Sequence, residues 1–184
     1  MVWKIRMNSL FCDFDFKEEK NLKRKIVVFV KEILNPAKKI MFFYRMGNRA
    51  YMKKHKFIAK LCGLHIYHHY NCQISMNASI GEKLYLPHPI GIVIGNGVKI
   101  CKNVVIYQGV TIGRDKMDND CYPCVEDDCI LYASAKVLGG IKVRKGTIVG
   151  ASAVLTRDTE ENSVYVGIPA VKNERQICNV KGVL

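Results

Sequence analysis

The residue best suited to chemistry in this sequence is a histidine held between two prolines, Pro87-His88-Pro89. Imidazole titrates near neutral pH, so a surface histidine can take the proton from a hydroxyl group, which is a poor nucleophile while it keeps that proton. A base placed in this way contributes ~10²–10⁴-fold to a transfer rate. The pattern predicts a functional role for His88, provided that the surrounding elements turn it outward.

The elements around His88 follow a period of six residues. Branched apolar residues recur at this spacing in three phased blocks: Ile74, Ile80 and Leu86; Ile94, Ile100, Ile106 and Ile112; Val125, Leu131, Val137, Val143, Val149 and Leu155. A second set follows four positions later: Ala78, Leu84, Ile90, Val98, Val104, Val110, Cys129, Ala135, Ile141, Thr147 and Ala153. This period does not fit an α-helix, so each hexapeptide is predicted to form one short strand and a bend. Three hexapeptides then close one coil of about eighteen residues, with both sets inside.

The consensus of this repeat, I-G-x-x-V-x, resembles the hexapeptide pattern of left-handed parallel β-helix proteins over residues 74 to about 157. That resemblance implies a left-handed coil, an exception to the usual right-handed crossover. The predicted fold class is mainly β: a left-handed parallel β-helix over 73–165, preceded by a basic α-helical segment over 1–72 and followed by a tail over 166–184.

The six-residue phase breaks twice. Ile94 follows Leu86 by eight positions, so the coil that contains His88 must bulge and can project this side chain outward. Val125 follows Ile112 by thirteen positions where twelve would keep the phase, and the polar, acidic stretch 114–124 is predicted to leave the coil as a loop. Loops on a rigid scaffold often carry function, so the second break is a further candidate for the site.

The net charge of +13 is concentrated upstream of the repeats. Residues 1–72 hold 16 Lys and Arg against 5 acids, whereas residues 73–184 hold 13 against 11. Helical spacing of apolar residues predicts one stripe through Ile26, Val30, Ile33 and Leu34, and a second through Ala37, Met41, Tyr44, Asn48 and Tyr51, with Asn35 as N-cap and Pro36 as first helical residue. No apolar run approaches the ~20 residues of a membrane span and no signal peptide is evident, so a cytoplasmic location is expected.

Four motifs in order resemble the serine acetyltransferase branch of the hexapeptide acyltransferases: LPHPIGIVIG at 86–95, YQGVTIG at 107–113, AKVLGG at 135–140 and VGIPA at 166–170. The resemblance implies a homotrimer that binds acetyl-CoA as cosubstrate in the groove between neighbouring prisms, with His88 as general base. It further implies acetyl-CoA contacts at Gly113, Ala133, Lys136 and Ala151, and acceptor contacts at Tyr107, Gln108 and Tyr122.

Three positions depart from the pattern of serine acetyltransferases. The Asp that orients the histidine corresponds to Gln73, the Asp directly before the histidine is Pro87, and the Arg-His pair of the loop corresponds to Cys121-Tyr122. Gln73 can orient an imidazole but cannot stabilise its charged form, unless Asp118 or Asp120 supplies that charge across the interface. These losses favour a sugar hydroxyl in surface polysaccharide synthesis as acceptor, with serine O-acetylation in cysteine biosynthesis as the alternative.

Charge and the spacing of metal-ligating residues indicate which other partners to expect. Lys and Arg residues near Phe29, Phe42 and Phe43 suggest peripheral association with an anionic membrane face. No nucleic-acid motif is present, so no nucleic acid is expected. A zinc solenoid of the carbonic anhydrase type needs three histidine ligands and the repeats hold one, and the pair Cys121 and Cys124 lacks a second pair at zinc spacing, so no metal is expected.

Overall fold

The computed structural model describes residues 12–13, 32, 34–116 and 121–173, in which two helices precede a solenoid of short strands. The helices are α1 (Pro36–Met52) and α2 (Lys56–Tyr70). The strands are β1 (Gln73–Ile74), β2 (Ser79–Ile80), β3 (Val93–Ile94), β4 (Lys99–Ile100), β5 (Val105–Ile106), β6 (Thr111–Gly113), β7 (Cys124–Val125), β8 (Ile130–Leu131), β9 (Lys136–Leu138), β10 (Lys142–Val143), β11 (Ile148–Val149), β12 (Val154–Leu155), β13 (Val164–Val166) and β14 (Val171–Lys172).

These strands form the three faces of a prism. Sheet one has the order β1-β3-β6-β9-β12, sheet two β2-β4-β7-β10, and sheet three β5-β8-β11-β13-β14. The pairs are parallel except β13 with β14, which is antiparallel. From β1 to β13, consecutive strands therefore lie on different faces, and the chain returns to a face only after a full turn. The predicted mainly β solenoid of parallel strands is confirmed.

The strand register measures both phase breaks. An undisturbed coil spans 18 residues, as in the pairing of Ile130 with Ile148. Gln73 pairs with Val93, an offset of 20, so the first break inserts two residues. Thr111 pairs with Lys136, an offset of 25, so the second inserts seven. The sequence pattern indicated a phase shift of one residue at the second break, and the register shows that this shift comes with six further residues inserted between β6 and β7.

The inward positions of the six-residue pattern form the core of the prism. All thirteen residues of the first set are buried, and so is the second set with one exception, Ile90. The prediction for Ile90 is wrong: this side chain is 63% exposed, and Ile92 lies inside at 0%. The reason is the two-residue insertion, which moves the inward position from 90 to 92.

Helix α1 covers the first coil of the prism. Asn35 accepts a hydrogen bond from Ala37 N at 2.9 Å and Pro36 begins the helix, as predicted. Tyr44 donates its hydroxyl proton to Ala78 O at 2.7 Å, and burial raises the pKa of Tyr44 to about 12. Asn48 donates to Met76 O at 2.9 Å. Among the described residues no earlier coil donates hydrogen bonds to these carbonyls, and helix α1 supplies the donors instead.

A buried ion pair ties the helix to the segment before it. Arg45 donates to the carboxylate of Asp13 at 2.9 Å and also to the carbonyls of Ile80 and Gly81. Asp13 also accepts from Lys83 N at 3.0 Å. Since Asp13 is 4% exposed, the carboxylate has lost its water and depends on these donors.

The structure agrees with the predicted apolar stripes of the helices only in part. Ala37, Met41 and Tyr44 are buried, whereas Tyr51 is 38% exposed near the end of α1. Of the upstream stripe, Ile26, Val30 and Ile33 lie outside the described residues, and Leu34 is 76% exposed.

Candidate active site

His88 sits in the two-residue bulge of the first coil, and both flanks of the bulge are anchored. Leu86 and Ile92 are buried on either side, while His88 itself is exposed. Gly91 N donates to Asn71 O at 3.1 Å, and the thiol of Cys72 donates to Pro89 O at 3.2 Å. Within the bulge, Ile90 N donates to His88 O at 2.8 Å. The backbone therefore holds the imidazole in a fixed outward position, as the phase break predicted.

The edge where sheet three turns into sheet one is here called the histidine corner (residues 87–91, 107–109, 132–134 and 150–152). The ring of His88 faces that of Tyr107 with centroids 6.3 Å apart, and Tyr107 stacks on Tyr132 at 5.1 Å and 24°. Gln108, Ala133 and Ala151 follow one another at this corner in successive coils, Gln108 and Ala151 exposed and Ala133 half-buried. The structure thus brings the predicted base, two predicted acceptor residues and two predicted acetyl-CoA residues to one edge.

Sequence reasoning missed Tyr132, which extends the aromatic surface beside His88. A signal was available in the repeat: Tyr107 and Tyr132 both directly follow an inward residue of the first set, Ile106 and Leu131. Residues in the same phase of neighbouring coils lie above one another in a parallel β-helix. Two aromatic residues in this phase therefore predict a stacked pair.

The opposite edge of sheet one is here called the loop corner (residues 95–97, 113–116, 121–123 and 139–140). Tyr122 packs against Gly97, whose φ is +76°; a Cβ there would lie 2.7 Å from a ring carbon of Tyr122. Cys121 packs in the same way against Gly140, and Asp115 lies beside Gly139. The described residues on both sides of 117–120 therefore pack onto glycines that leave room for them. Asp118 and Asp120, the predicted orienting carboxylates, lie outside the described residues.

Gly113 lies at the loop corner with open space in front of it. A Cβ at this position would meet no atom within 4 Å, unlike one at Gly97. The outer face of sheet one joins the two corners, and Lys136 lies on it with its Nζ donating to Gly109 O at 2.8 Å and Thr111 Oγ1 at 3.0 Å. The ammonium group of Lys136 is therefore already held by its own prism.

Gln73 lies on the same sheet, next to helix α2. It is exposed and lines a groove of about 580 Å³ between α2 and the first strands of sheet one, together with Lys60, Leu64, Tyr67 and Asn96. No hydrogen bond joins the described side chains of Gln73 and His88. The two corners are separated by the strands of sheet one, so a single chain does not bring Tyr122 to His88.

Thiols and metal-ligating groups are distributed without a common centre. Among the described residues no group of three His, Cys, Asp or Glu side chains is placed to bind a metal ion. Five of the described cysteines are free thiols: Cys62, Cys72, Cys101, Cys124 and Cys129. Burial raises the pKa of Cys129 to about 12, so this thiol stays protonated at neutral pH. Within the described ranges, neither helix is long and apolar enough to cross a membrane.

The fold and the outward histidine define a class first: the chain is a left-handed parallel β-helix built from hexapeptide repeats. Within that class it is similar to serine acetyltransferases. It is 36% identical over 138 residues to the serine acetyltransferase of Bacillus licheniformis, a match covering 73% of this chain and 64% of that protein. The predicted resemblance to this branch is confirmed in sequence.

Solved structures agree. A serine acetyltransferase in complex with CoA superimposes with a TM-score of 0.68 at 29% identity, covering 73% of this chain and 55% of that one. Soybean serine acetyltransferase complexed with serine gives 0.78 at 26%, covering 90% of this chain and 68% of that one. The chain spans 64% of the length of the first curated relatives. No protein-family model matches the sequence.

Proposed function

We propose that the protein is an acetyl-CoA-dependent O-acetyltransferase with His88 as general base. The observation that carries the proposal is the anchored bulge, which presents one exposed imidazole beside an aromatic surface. His88 takes the proton of the acceptor hydroxyl as its oxygen attacks the thioester carbonyl. The carbon–sulfur bond then breaks, CoA leaves as thiolate, and the imidazolium returns its proton to the sulfur. The reaction needs no net change of protonation at His88.

The acetyl donor is acetyl-CoA, in keeping with the CoA complex of a similar serine acetyltransferase. We assign the open space at Gly113 and the column of Ala133 and Ala151 to the pantetheine arm, because small residues let an extended chain lie against the sheet. Lys136 borders this path and takes a positioning role through Gly109 and Thr111. Changing Gly113→Val would narrow the groove without a clash in its own prism, so we expect a raised KM for acetyl-CoA with an unchanged Tm.

The active site is proposed to lie between chains of a homotrimer. Within one prism the histidine corner and the loop corner face away from each other across sheet one, and a neighbouring prism can place its loop corner against His88. A mixing experiment tests this. At an acetyl-CoA concentration well below the KM of Gly113→Val, trimers mixed from His88→Ala and Gly113→Val chains should be more active than the two unmixed variants, because about one interface in four then pairs two intact corners. No recovery after confirmed subunit exchange would place the whole site in one chain.

L-serine is the first acceptor to test. The similar proteins are named serine acetyltransferases, and one was solved with serine bound, so the alternative considered at the sequence level is better supported than a sugar. We expect CoA release on adding L-serine, and none on adding L-alanine, which lacks the hydroxyl group. Saturable turnover of L-serine by the wild type, lost in His88→Ala, is the result that supports this acceptor.

A sugar hydroxyl is kept as second candidate because of specific residues. Gln73, Pro87 and Tyr122 are uncharged, so these three positions offer no ionic contact for an amino acid's ammonium or carboxylate group. Tyr107 and Tyr132 form an aromatic surface of the kind that packs against a sugar ring. Turnover of a nucleotide sugar or lipid-linked sugar at a higher kcat/KM than L-serine would favour this candidate, and Tyr132→Leu should then raise KM for the sugar only.

A further inference from the structure

Helix α2 is apolar on two opposite faces. Ala59, Cys62 and Ile66 are buried against α1 and the prism. On the opposite side, the stripe of Phe57, Leu61 and Leu64 is 75%, 49% and 41% exposed. A surface helix normally pairs one apolar face with one polar face, so the outer stripe requires a partner.

The turn between the helices extends this apolar surface. Met52 is 72% exposed at the end of α1, and Ile58 is 47% exposed at the start of α2. Phe42 and Phe43, which the sequence suggested as membrane contacts, are half-buried instead, and the ring of Phe43 packs 3.9 Å from that of His65. The exposed apolar surface therefore lies elsewhere than the sequence suggested, at the turn that joins α1 to α2. This region is here called the hairpin tip (residues 51–61).

Four exposed lysines surround the same side chains: Lys53, Lys54, Lys56 and Lys60. None of them forms an ion pair with a described carboxylate. The sequence explains why, since no acidic residue occurs between Glu32 and Glu82. The hairpin tip thus combines protruding Phe, Met, Ile and Leu side chains with uncompensated positive charge.

We propose that the hairpin tip docks on an anionic lipid surface. The apolar side chains enter the boundary between headgroups and acyl chains, and the lysines bind the headgroup phosphates. A second copy of this chain fits less well, because contact between two hairpin tips would bring two sets of four lysines together without one carboxylate. The proposal concerns where the protein is held and does not depend on its reaction.

Vesicle co-sedimentation tests the proposal with the full-length protein. We expect binding to vesicles of phosphatidylcholine mixed with phosphatidylglycerol, weakened by added salt, and little binding to phosphatidylcholine alone. The variant Lys53→Gln/Lys54→Gln/Lys56→Gln should bind about a hundredfold more weakly, since each lysine near such a surface contributes roughly fivefold. The matched control Lys83→Gln/Lys99→Gln/Lys102→Gln removes the same charge from exposed prism positions and should bind as the wild type does.

A second variant tests the apolar side chains of the hairpin tip. Phe57→Ser/Leu61→Ser alters exposed side chains, so its Tm should match the wild type, while vesicle binding should fall at least tenfold. If this variant binds the vesicles as strongly as the wild type does, the hairpin tip is a general site for polyanions and the lipid assignment is overturned. The opposite outcome has two parts: the wild type does not bind anionic vesicles, and its molar mass in solution falls when Phe57 and Leu61 are changed. This result would assign the stripe to a second copy of the chain.

Discussion

The two corners of sheet one accommodate insertions in different ways. At the histidine corner two extra residues are fixed by backbone hydrogen bonds and by buried neighbours on both sides. At the loop corner seven extra residues are inserted, and the described ones pack through side chains, Tyr122 on Gly97 and Cys121 on Gly140. A catalytic base needs a fixed position, whereas a surface that selects an acceptor can vary with its side chains. Under the proposed function, the contrast predicts a rigidly held base at the histidine corner and a loop corner whose contribution depends on its side chains.

The largest expected effect comes from removing the base. His88→Ala should lower kcat by ~10²–10⁴-fold, because the acceptor hydroxyl then loses its proton without assistance. The matched control is His68→Ala, an exposed histidine of helix α2, which should retain full activity. Steady-state CoA release measures both. Wild-type kcat in His88→Ala would remove the catalytic role from the histidine corner.

The next test concerns how firmly the bulge is anchored. Ile92→Ala should lower the free energy of unfolding by about 2–5 kcal/mol, since it empties a fully buried position. Ile90→Ala, two residues away but 63% exposed, should change it by less than about 0.5 kcal/mol. Chemical denaturation of both variants gives the comparison. Equal losses would show that the bulge is not fixed as described.

A pair of glycines compares the corners directly. Gly91 at the histidine corner and Gly97 at the loop corner have φ of +68° and +76°, so alanine at either costs about 1–2 kcal/mol in backbone strain. Only at Gly97 would the new methyl also displace Tyr122, since its nearest neighbour at Gly91 is 3.7 Å away. We expect Gly97→Ala to lose more stability and to raise KM for the acceptor. Identical KM values in the two variants would argue against an acceptor role for Tyr122.

The mildest test labels the thiols of the unmodified protein. Cys121 at the loop corner is exposed, whereas Cys72 under the bulge is buried and burial raises its pKa. The thiolate is the reactive form, so the raised pKa of Cys72 slows its labelling at any pH below that pKa. In this range the labelling rate should rise about tenfold for each unit of pH. Mass spectrometry after brief alkylation should therefore find Cys121 modified and Cys72 protected at pH 7. Early labelling of Cys72 would indicate a loose bulge.

Much of this architecture was predictable from one sequence because a six-residue period leaves little choice of fold. The inward positions, the outward turn of His88 and the cap at Asn35 all follow from local pattern. Ile90 was misassigned because a phase break locates an insertion only to within a few residues. Which residue returns to the inward position depends on the pairing of β1 with β3, and this pairing places Ile92 inside. Contacts between distant segments, such as Asp13 with Arg45 and Tyr122 with Gly97, leave no periodic signal at all.

The two ends of the prism determine how many coils it has. A parallel β-helix exposes unpaired backbone at its first and last coils, and such edges invite another chain to continue the stack into a fibre. Here Tyr44, Arg45 and Asn48 occupy the carbonyls of the first coil, and β14 turns back antiparallel on β13 at the other end. These contacts cover backbone groups at both ends of the described solenoid, so we expect them to weaken end-to-end stacking of identical molecules.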